Sequence, residues 1–219
     1  MSQPPLTLIV AATAKNGIGK AGGLPWPMLK KEMAYFARVT KRVPKAMATS
    51  DPSRKVQNVV IMGRKTWDSI PPKLRPLKER TNIIVTRQSA DTLSAASHED
   101  VIVASSIEDA MSKLSMKAAA AASTTPGRYY IIGGSSIYEA ALKLPHPKNI
   151  LLTRIRKEYE CDTFFPVDLE SDLAVSAGWR MKSSAELSDF VEEDVEDQDM
   201  VETVGGEEVR YRFTLYEQT

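Results

Sequence analysis

Six short apolar runs rich in β-branched residues alternate with stretches of helical pattern, and this alternation limits the fold more than any other feature. The runs are LTLIVAAT, QNVVIMG, NIIVT, VIVASS, RYYIIGG and NILLTRI, and a seventh, RYRFTLYE, lies near the end. Continuous apolar runs are typical of strands covered on both faces. Helical patterns occupy residues 28–40, 65–70, 107–122 and 136–144. Strands that alternate with helices predict an α/β fold around one mainly parallel sheet.

The length of 219 residues and the hydrophobic content of 42% suit one domain, which we expect to span residues 1–219. No apolar run approaches the ~20 residues of a membrane span. The first residues lack the basic start and cleavage site of a signal peptide. The single cysteine, Cys161, permits no internal disulfide. We therefore expect a cytoplasmic protein.

The charge of the chain is unevenly distributed. Residues 186–208 hold eleven acidic residues and no Lys or Arg, so the rest of the chain has 17 acidic and 29 basic residues. A basic body suits anionic small ligands or nucleic acid and does not choose between them. We interpret the acidic insertion at about 186–208 and the polar loop at about 41–55 as solvated hairpin loops or disorder, with a partner-binding element as the alternative.

The stretch NGIGKAGG follows the first strand and has the spacing G-x-G-x-x-G. A dinucleotide fingerprint requires a helix directly after its glycines and an acidic residue about twenty positions further on. Here the prolines of LPWP keep the chain extended, and residues 37–42 contain no carboxylate. The sequence therefore argues against a dinucleotide turn and leaves a surface loop.

Glu32 is the most informative residue of the first helical stretch, which Pro27 opens. At 100° per residue, five apolar positions fall within about 60° of Glu32; they are Met28, Leu29, Tyr35, Phe36 and Val39. Lysine and arginine residues occupy the opposite side. An acid on the apolar face must meet a partner or serve a site, because burial of an unpaired carboxylate is costly. A structural ion pair is the alternative.

Three strand ends carry residues that suit phosphate. Gly63 precedes Arg64–Thr66 at a helix start, Thr86 and Arg87 follow the third strand, and the pairs Gly133-Gly134 and Ser135-Ser136 open another helix. Helix amides, hydroxyls and guanidinium groups bind phosphate oxygens, and parallel strand ends line one edge of a sheet. The alternative for each basic residue is a solvated surface position.

These motifs together resemble the dihydrofolate reductase family, in particular its eukaryotic and fungal members. The resemblance covers Leu6 to Pro166 and rests on IVAATAKNGIGKAGGLPWP, VIMGRKTWDSIP, RPLKERTNIIVTR, IIGGSSIY, LLTRI and CDTFFP. It implies a single domain with a mixed, mainly parallel sheet of eight strands, an antiparallel last strand and flanking helices. It implies a monomer with no metal, no membrane and no need for nucleic acid.

The resemblance also implies an activity: transfer of a hydride from NADPH to 7,8-dihydrofolate, giving tetrahydrofolate for one-carbon metabolism, with antifolates as inhibitors. One alternative is an NADPH-dependent pyrimidine reductase of riboflavin synthesis, which would not need Arg80 for a glutamate tail. The other is a non-catalytic nucleotide-binding module, which would have no use for a buried Glu32.

The resemblance assigns the site residues. Catalytic roles fall to Glu32, which contacts the pterin, and to Trp26 and Thr153, which organise a water beside it. Arg80 would pair with the glutamate tail. The substrate-binding set is Ile9, Val10, Glu32, Met33, Phe36, Ile70, Leu77, Arg80, Ile132 and Tyr138. The cofactor-binding set is Ala11, Ile18, Gly19, Lys20, Gly22, Gly23, Leu24, Gly63, Arg64, Lys65, Thr66, Thr86, Arg87, Gly133, Gly134, Ser135, Ser136, Ile137 and Tyr138. The glycine loop is expected to be mobile and to close over the reacting rings.

Overall fold

The computed structural model describes residues 3–51, 54–88, 101–121 and 124–219, which fall into two compact units. The first unit comprises the described residues up to Val39 and those from Pro145 onward, and the second comprises those from Thr40 to Leu144. The single domain expected from the sequence stays a prediction. No helix in these ranges is long and apolar enough to cross a membrane.

The first unit is built around a mixed sheet. Its elements are β1 (Leu6–Thr13), β2 (Gly17–Gly19), α1 (Lys30–Lys41, with the last two residues in the second unit), β7 (Lys148–Ile155), β8 (Thr163–Phe164), α5 (Asp172–Ser176), β9 (Trp179–Met181), α6 (Ser184–Val191), β10 (Met200–Val204) and β11 (Glu207–Gln218). The strand order is β10-β11-β7-β1. β1 and β7 are parallel, whereas β11 runs antiparallel to β7, β10 and β9. β2 and β8 form a separate two-stranded sheet.

The second unit is built around parallel strands in the order β6-β3-β4-β5. Its elements are β3 (Lys55–Gly63), α2 (Arg64–Ser69), β4 (Thr81–Val85), β5 (Val101–Ala104), α3 (Ile107–Ala121), β6 (Thr124–Ile131) and α4 (Ser135–Lys143), with short 3-10 turns at Lys45–Met47 and Pro72–Leu74. Residue 122, where we expected α3 to end, lies outside the described residues.

The predicted fold class is confirmed: the chain is α/β, with eight principal strands in a mixed, mainly parallel arrangement, flanking helices and an antiparallel last strand. Nearly every residue of β1 and β7 is buried, as continuous apolar runs indicated. In β5, the outermost strand of its unit, buried residues alternate with half-buried ones.

The first helix begins at Lys30, two residues later than expected, because Pro25 and Pro27 keep the preceding chain extended. Met28 therefore lies outside the helix and is 70% exposed, so its assignment to the apolar face was wrong. Leu29, Tyr35 and Val39 are buried as predicted.

The acidic insertion is ordered and includes the expected hairpin, so only its interpretation as disorder was wrong. It forms most of α6, whose first turn carries a capping box between Ser183 and Glu186, and then the hairpin of β10 and β11. Gly205 and Gly206 form the hairpin turn at positive φ angles of 60° and 84°, which glycine adopts without strain. In the polar loop, residues 52–53 lie outside the described residues.

Candidate active site

Glu32 lies on the buried side of α1 and is 8% exposed. Its Oε1 accepts a hydrogen bond of 3.2 Å from the Thr153 hydroxyl on β7. Burial raises the pKa of Glu32 to about 7, the bond from Thr153 acts in the opposite direction, and the negative charge of Glu202 raises it further. A carboxyl with this pKa can hold or release a proton near neutral pH.

The segment before α1 is fixed by Trp26. Its indole is buried in a cluster with Leu29, Ile155 and Tyr211, and it meets Tyr159 edge-on with ring centroids 6.1 Å apart. The large buried area of an indole makes such contacts an effective anchor for an irregular segment. The three predicted catalytic residues therefore all lie buried in the first unit.

The sequence did not single out two residues beside Glu32 and Trp26, namely Glu202 and Tyr211. Glu202 is buried and accepts a hydrogen bond of 2.6 Å from the Tyr211 hydroxyl. It also accepts one of 3.0 Å from the Lys31 backbone amide. Glu202 is one of eleven acids in its tract, so composition gave no signal, although the alternation of β10 could have placed it on a buried face.

The glycine loop forms a strand and a tight turn, which confirms that it is not a strand–helix dinucleotide turn. β2 pairs with β8, and Lys20 and Gly23 exchange two backbone hydrogen bonds around Ala21 and Gly22. The Ala21 amide donates to Asp162 Oδ2 at 2.8 Å. The mobility expected of this loop stays a prediction.

The other predicted residues of the first unit differ in exposure. Ile9 and Val10 are buried on β1, and Ala11, Ile18, Gly19 and Phe36 are half-buried. Exposed positions that can meet a ligand without rearrangement of the core are Lys20, Gly22, Gly23, Leu24 and Met33.

Within the second unit, the predicted phosphate-binding segments share one edge. β3 and β4 pair with Gly63 beside Val85, and β3 and β6 pair with Ile61 beside Ile131, so these three parallel strands end together. The Gly63 amide donates to the Gly133 carbonyl at 2.7 Å, which joins two of the glycine turns directly.

The glycine turns lie close to two hydroxyl groups. α2 begins after Gly63 and α4 after Gly134, and neither N-cap has a side-chain hydrogen bond among the described residues. A Cβ on Gly134 would lie 3.4 Å from Thr66 Oγ1, and one on Gly133 would lie 3.2 Å from the Tyr138 hydroxyl. Uncapped helix starts beside a hydroxyl are suitable donors for phosphate oxygens.

The remaining predicted residues of this edge differ in their exposure and in their partners. Arg64 pairs with Asp68 at 2.8 Å, so its guanidinium already has an anionic partner. Lys65, Arg87 and Ser136 are exposed, and Thr86 and Ser135 are half-buried. Ile137 is buried against Gly63, because a Cβ added to Gly63 would lie only 3.0 Å from Cγ1 of Ile137.

Arg80 is a second buried ionisable group, 7% exposed. Its Nη1 donates to the Thr40 hydroxyl at 2.8 Å and its Nε to the Lys78 carbonyl at 3.0 Å, both uncharged acceptors. Burial lowers the pKa of Arg80 to about 10, partly offset by Glu79, so it remains a cation at neutral pH. A positioned, desolvated guanidinium fits a carboxylate.

Asn82, which the sequence did not single out, holds the segment that contains Arg80. Its side chain accepts from the Leu77 amide at 2.9 Å and donates to the carbonyls of Leu77 and Arg80. Of the other predicted substrate residues in this unit, Ile70, Leu77 and Ile132 are half-buried and Tyr138 is buried. Among the described residues no group of His, Cys, Asp or Glu could hold a metal ion.

Comparison with known proteins identifies similar chains. The family model described as dihydrofolate reductase matches residues 52–188. The chain is 41% identical over 189 residues to the dihydrofolate reductase of Pneumocystis carinii, with 86% of each chain covered. It is 42% identical over 217 residues to that of Schizosaccharomyces pombe, which covers 96% of this chain but only 46% of the fission yeast protein. The solved Schistosoma mansoni dihydrofolate reductase superposes over 100% of both chains with a TM-score of 0.72 at 32% identity.

Proposed function

The chain belongs to the dihydrofolate reductase family, and from this premise we propose that it transfers a hydride from NADPH to 7,8-dihydrofolate and releases tetrahydrofolate. The reaction takes up one proton and turns NADPH into its oxidised form. The observation that carries the proposal is the buried Glu32, which can hold a proton near neutral pH.

Glu32 is proposed to bind the pterin by hydrogen bonds and to support protonation beside the carbon that receives the hydride. Thr153 holds the carboxyl through its hydroxyl, and Trp26 anchors the chain before α1. Burial of Glu32 excludes bulk water from its carboxyl, which strengthens its interactions with a bound ring.

A nicotinamide cofactor is implied by the family, and NADPH is our specific proposal. The cofactor supplies the hydride. The residues at the edge of the second unit fit its phosphates, because the uncapped starts of α2 and α4 and the Thr66 hydroxyl close to Gly134 suit anionic oxygens. Thr86 and Arg87 are proposed to select the 2′-phosphate, with Arg64 taking part when it leaves Asp68.

Arg80 is proposed to bind the glutamate tail of dihydrofolate with a pair of parallel hydrogen bonds. The protein holds the guanidinium in place with two neutral acceptors, so its charge is available to a carboxylate. Neither alternative function, a pyrimidine reductase or a nucleotide-binding module, explains both this buried cation and the buried Glu32. The monomeric state and the cytoplasmic location stay predictions.

The proposal is tested with the purified chain, NADPH and dihydrofolate. We expect dihydrofolate-dependent loss of the near-ultraviolet absorbance of NADPH, and Glu32→Ala should reduce kcat/KM by roughly 10²–10⁴-fold, the usual contribution of a general acid or base. Glu208→Ala is the matched control, because that side chain is exposed and pairs with Arg210, outside every predicted site set. An inactive parent chain with a cooperative unfolding transition would refute the assignment.

A further inference from the structure

Glu202 contacts the first turn of the helix that carries Glu32. Its Oε1 lies 3.0 Å from the Lys31 amide nitrogen and 3.3 Å from that of Glu32, and its Oε2 lies 3.1 Å from the Lys31 amide nitrogen. The Tyr211 hydroxyl donates to Oε1 at 2.6 Å. With 9% exposure, this carboxylate is removed from water and satisfied by backbone and phenol donors.

The contact replaces a local helix cap. α1 begins after Leu29, whose side chain has no acceptor, so the first amides need a partner from elsewhere. An N-cap side chain normally accepts from the second or third helical amide, and Glu202 does so from a strand about 170 positions later in the chain. A carboxylate at a helix start also interacts favourably with the helix dipole.

The charge of Glu202 persists at neutral pH. Burial acts to raise its pKa, but the hydrogen bonds from Tyr211 and from the α1 amides outweigh burial and hold the pKa below its usual value. Burial together with the adjacent Glu202 raises the pKa of Tyr211, so the phenol stays neutral.

Among the described residues, three strands packed against α1 place polar groups near Glu32. β10 contributes the anionic Glu202, β11 the neutral Tyr211, and β7 the uncharged Thr153 hydroxyl. On α1 itself, Lys30 and Lys31 are exposed. The negative charge of Glu202 opposes a second charge on Glu32, so it favours the protonated carboxyl.

We propose that Glu202 is a positioning residue for the reaction: it fixes the first turn of α1 and keeps a negative charge beside Glu32, so that Glu32 retains the proton that reduction of the substrate requires. This inference rests on the proposed function. It gives one residue of the acidic insertion a role in the chemistry, through Glu32 and without contact to substrate.

The test uses Glu202→Gln, which keeps the size and an acceptor oxygen but removes the charge, with Glu208→Gln as the control. Glu208 is exposed in the same hairpin and pairs with Arg210. The first readout does not depend on catalytic turnover. It is the titration midpoint of the Glu32 carboxyl, measured by NMR in protein with isotope-labelled glutamate. The second is the pH dependence of kcat and KM for dihydrofolate.

In Glu202→Gln we expect the titration midpoint of Glu32 and the midpoint of the rate profile both to fall by roughly 0.5–1 pH unit. Above the midpoint, turnover should fall about three- to tenfold, while Glu208→Gln should match the parent chain. Unchanged midpoints in a folded Glu202→Gln protein would overturn the proposal, because a purely structural role would leave the Glu32 titration where it is.

If Glu202→Gln does not fold, Glu202→Asp decides the question. It keeps the charge on a shorter side chain, so we expect the Glu32 midpoint to stay within about 0.3 unit and kcat to fall several-fold as the α1 amides lose their acceptor. Unchanged kcat would overturn the positioning role. A parent chain without activity whose Glu32 midpoint still responds to Glu202 would instead count against the proposed function alone.

Discussion

Glu32 and Arg80 are both ionisable side chains that the fold removes from water, and burial shifts their pKa values in opposite directions. It raises the pKa of Glu32 to about 7, so this group exchanges a proton at neutral pH. It lowers the pKa of Arg80 to about 10, so this group is still a cation there. The first is suited to proton transfer and the second to the binding of an anion.

Replacement of Glu32 by Gln is expected to make stability less dependent on pH. The folded-state pKa of about 7 lies above the ordinary 4.5, so ionisation of Glu32 costs stability as pH rises through this window. Glu32→Gln should gain up to about 3 kcal/mol in unfolding free energy at pH 8 and almost nothing at pH 4.5. Urea unfolding at both pH values measures the difference.

The exposed Glu160→Gln is the control and should show no such pH-dependent gain. An equal effect of Glu32→Gln at both pH values would contradict the raised pKa.

The position of Glu32 on an apolar face could be predicted from the sequence because helical periodicity is strong. The roles of Glu202 and Asn82 were not, since their partners are backbone groups distant in sequence or in an irregular segment.

At the scale of elements, the long strands and helices followed from apolar runs and periodicity, because buried strands of five to nine residues carry a clear pattern. The elements of the acidic insertion, α6 and β10, were missed, and so were the short elements. β2, β8 and β9 have two or three residues each, too few to show alternation, and α5 has five. The segment between α2 and β4 has no repeating pattern either, and the side-chain amide of Asn82 helps to order its end.

Asn82→Ala is expected to loosen this segment. Loss of the side chain leaves the peptide groups of Leu77 and the Arg80 carbonyl without their partner, which should cost about 2–3 kcal/mol of unfolding free energy. Because Arg80 is then poorly positioned, KM for dihydrofolate should rise at least several-fold. Urea unfolding and steady-state kinetics measure the two effects.

The KM for NADPH is the internal control for Asn82→Ala and should change little. A folded variant with both KM values unchanged would show that the backbone geometry at Arg80 does not depend on Asn82.

At the scale of the whole molecule, the charge asymmetry of the sequence has a structural explanation. The acidic insertion folds back on its own unit: Glu193 pairs with Arg38, and Asp199 pairs with both Arg156 and Arg212. Exposed pairs of this kind each contribute at most about 1 kcal/mol. Their main effect is to neutralise basic residues of the first unit, a pairing that counts of charge could not reveal.

Ligand-linked stability tests the cofactor proposal on the entire chain. NADPH at about 100 times its Kd should raise the unfolding free energy by about 2.7 kcal/mol, which corresponds to a Tm increase of roughly 5–10 °C. Arg87→Ala should reduce the increase given by NADPH and leave that given by NADH unchanged. Thermal unfolding with each cofactor measures both.

Arg210→Ala, an exposed arginine in the hairpin of the first unit, is the control and should leave both increases unchanged. Equal losses with NADPH and NADH in Arg87→Ala would contradict a role of Arg87 at the 2′-phosphate.

The edge of the second unit where β3, β4 and β6 end was predictable, because parallel strands that carry glycine and basic residues at their ends must bring them together.

The contact between Glu202 and α1 also has a consequence for synthesis. Every site residue predicted from the sequence lies between Ile9 and Thr153, so a nascent chain has made all of them well before β10 leaves the ribosome. Until then the start of α1 lacks its acceptor, and Glu32 lacks the neighbour that favours its proton. A chain ending before Met200 would contain every site residue predicted from the sequence and still lack the Glu202 carboxylate that caps the helix carrying Glu32.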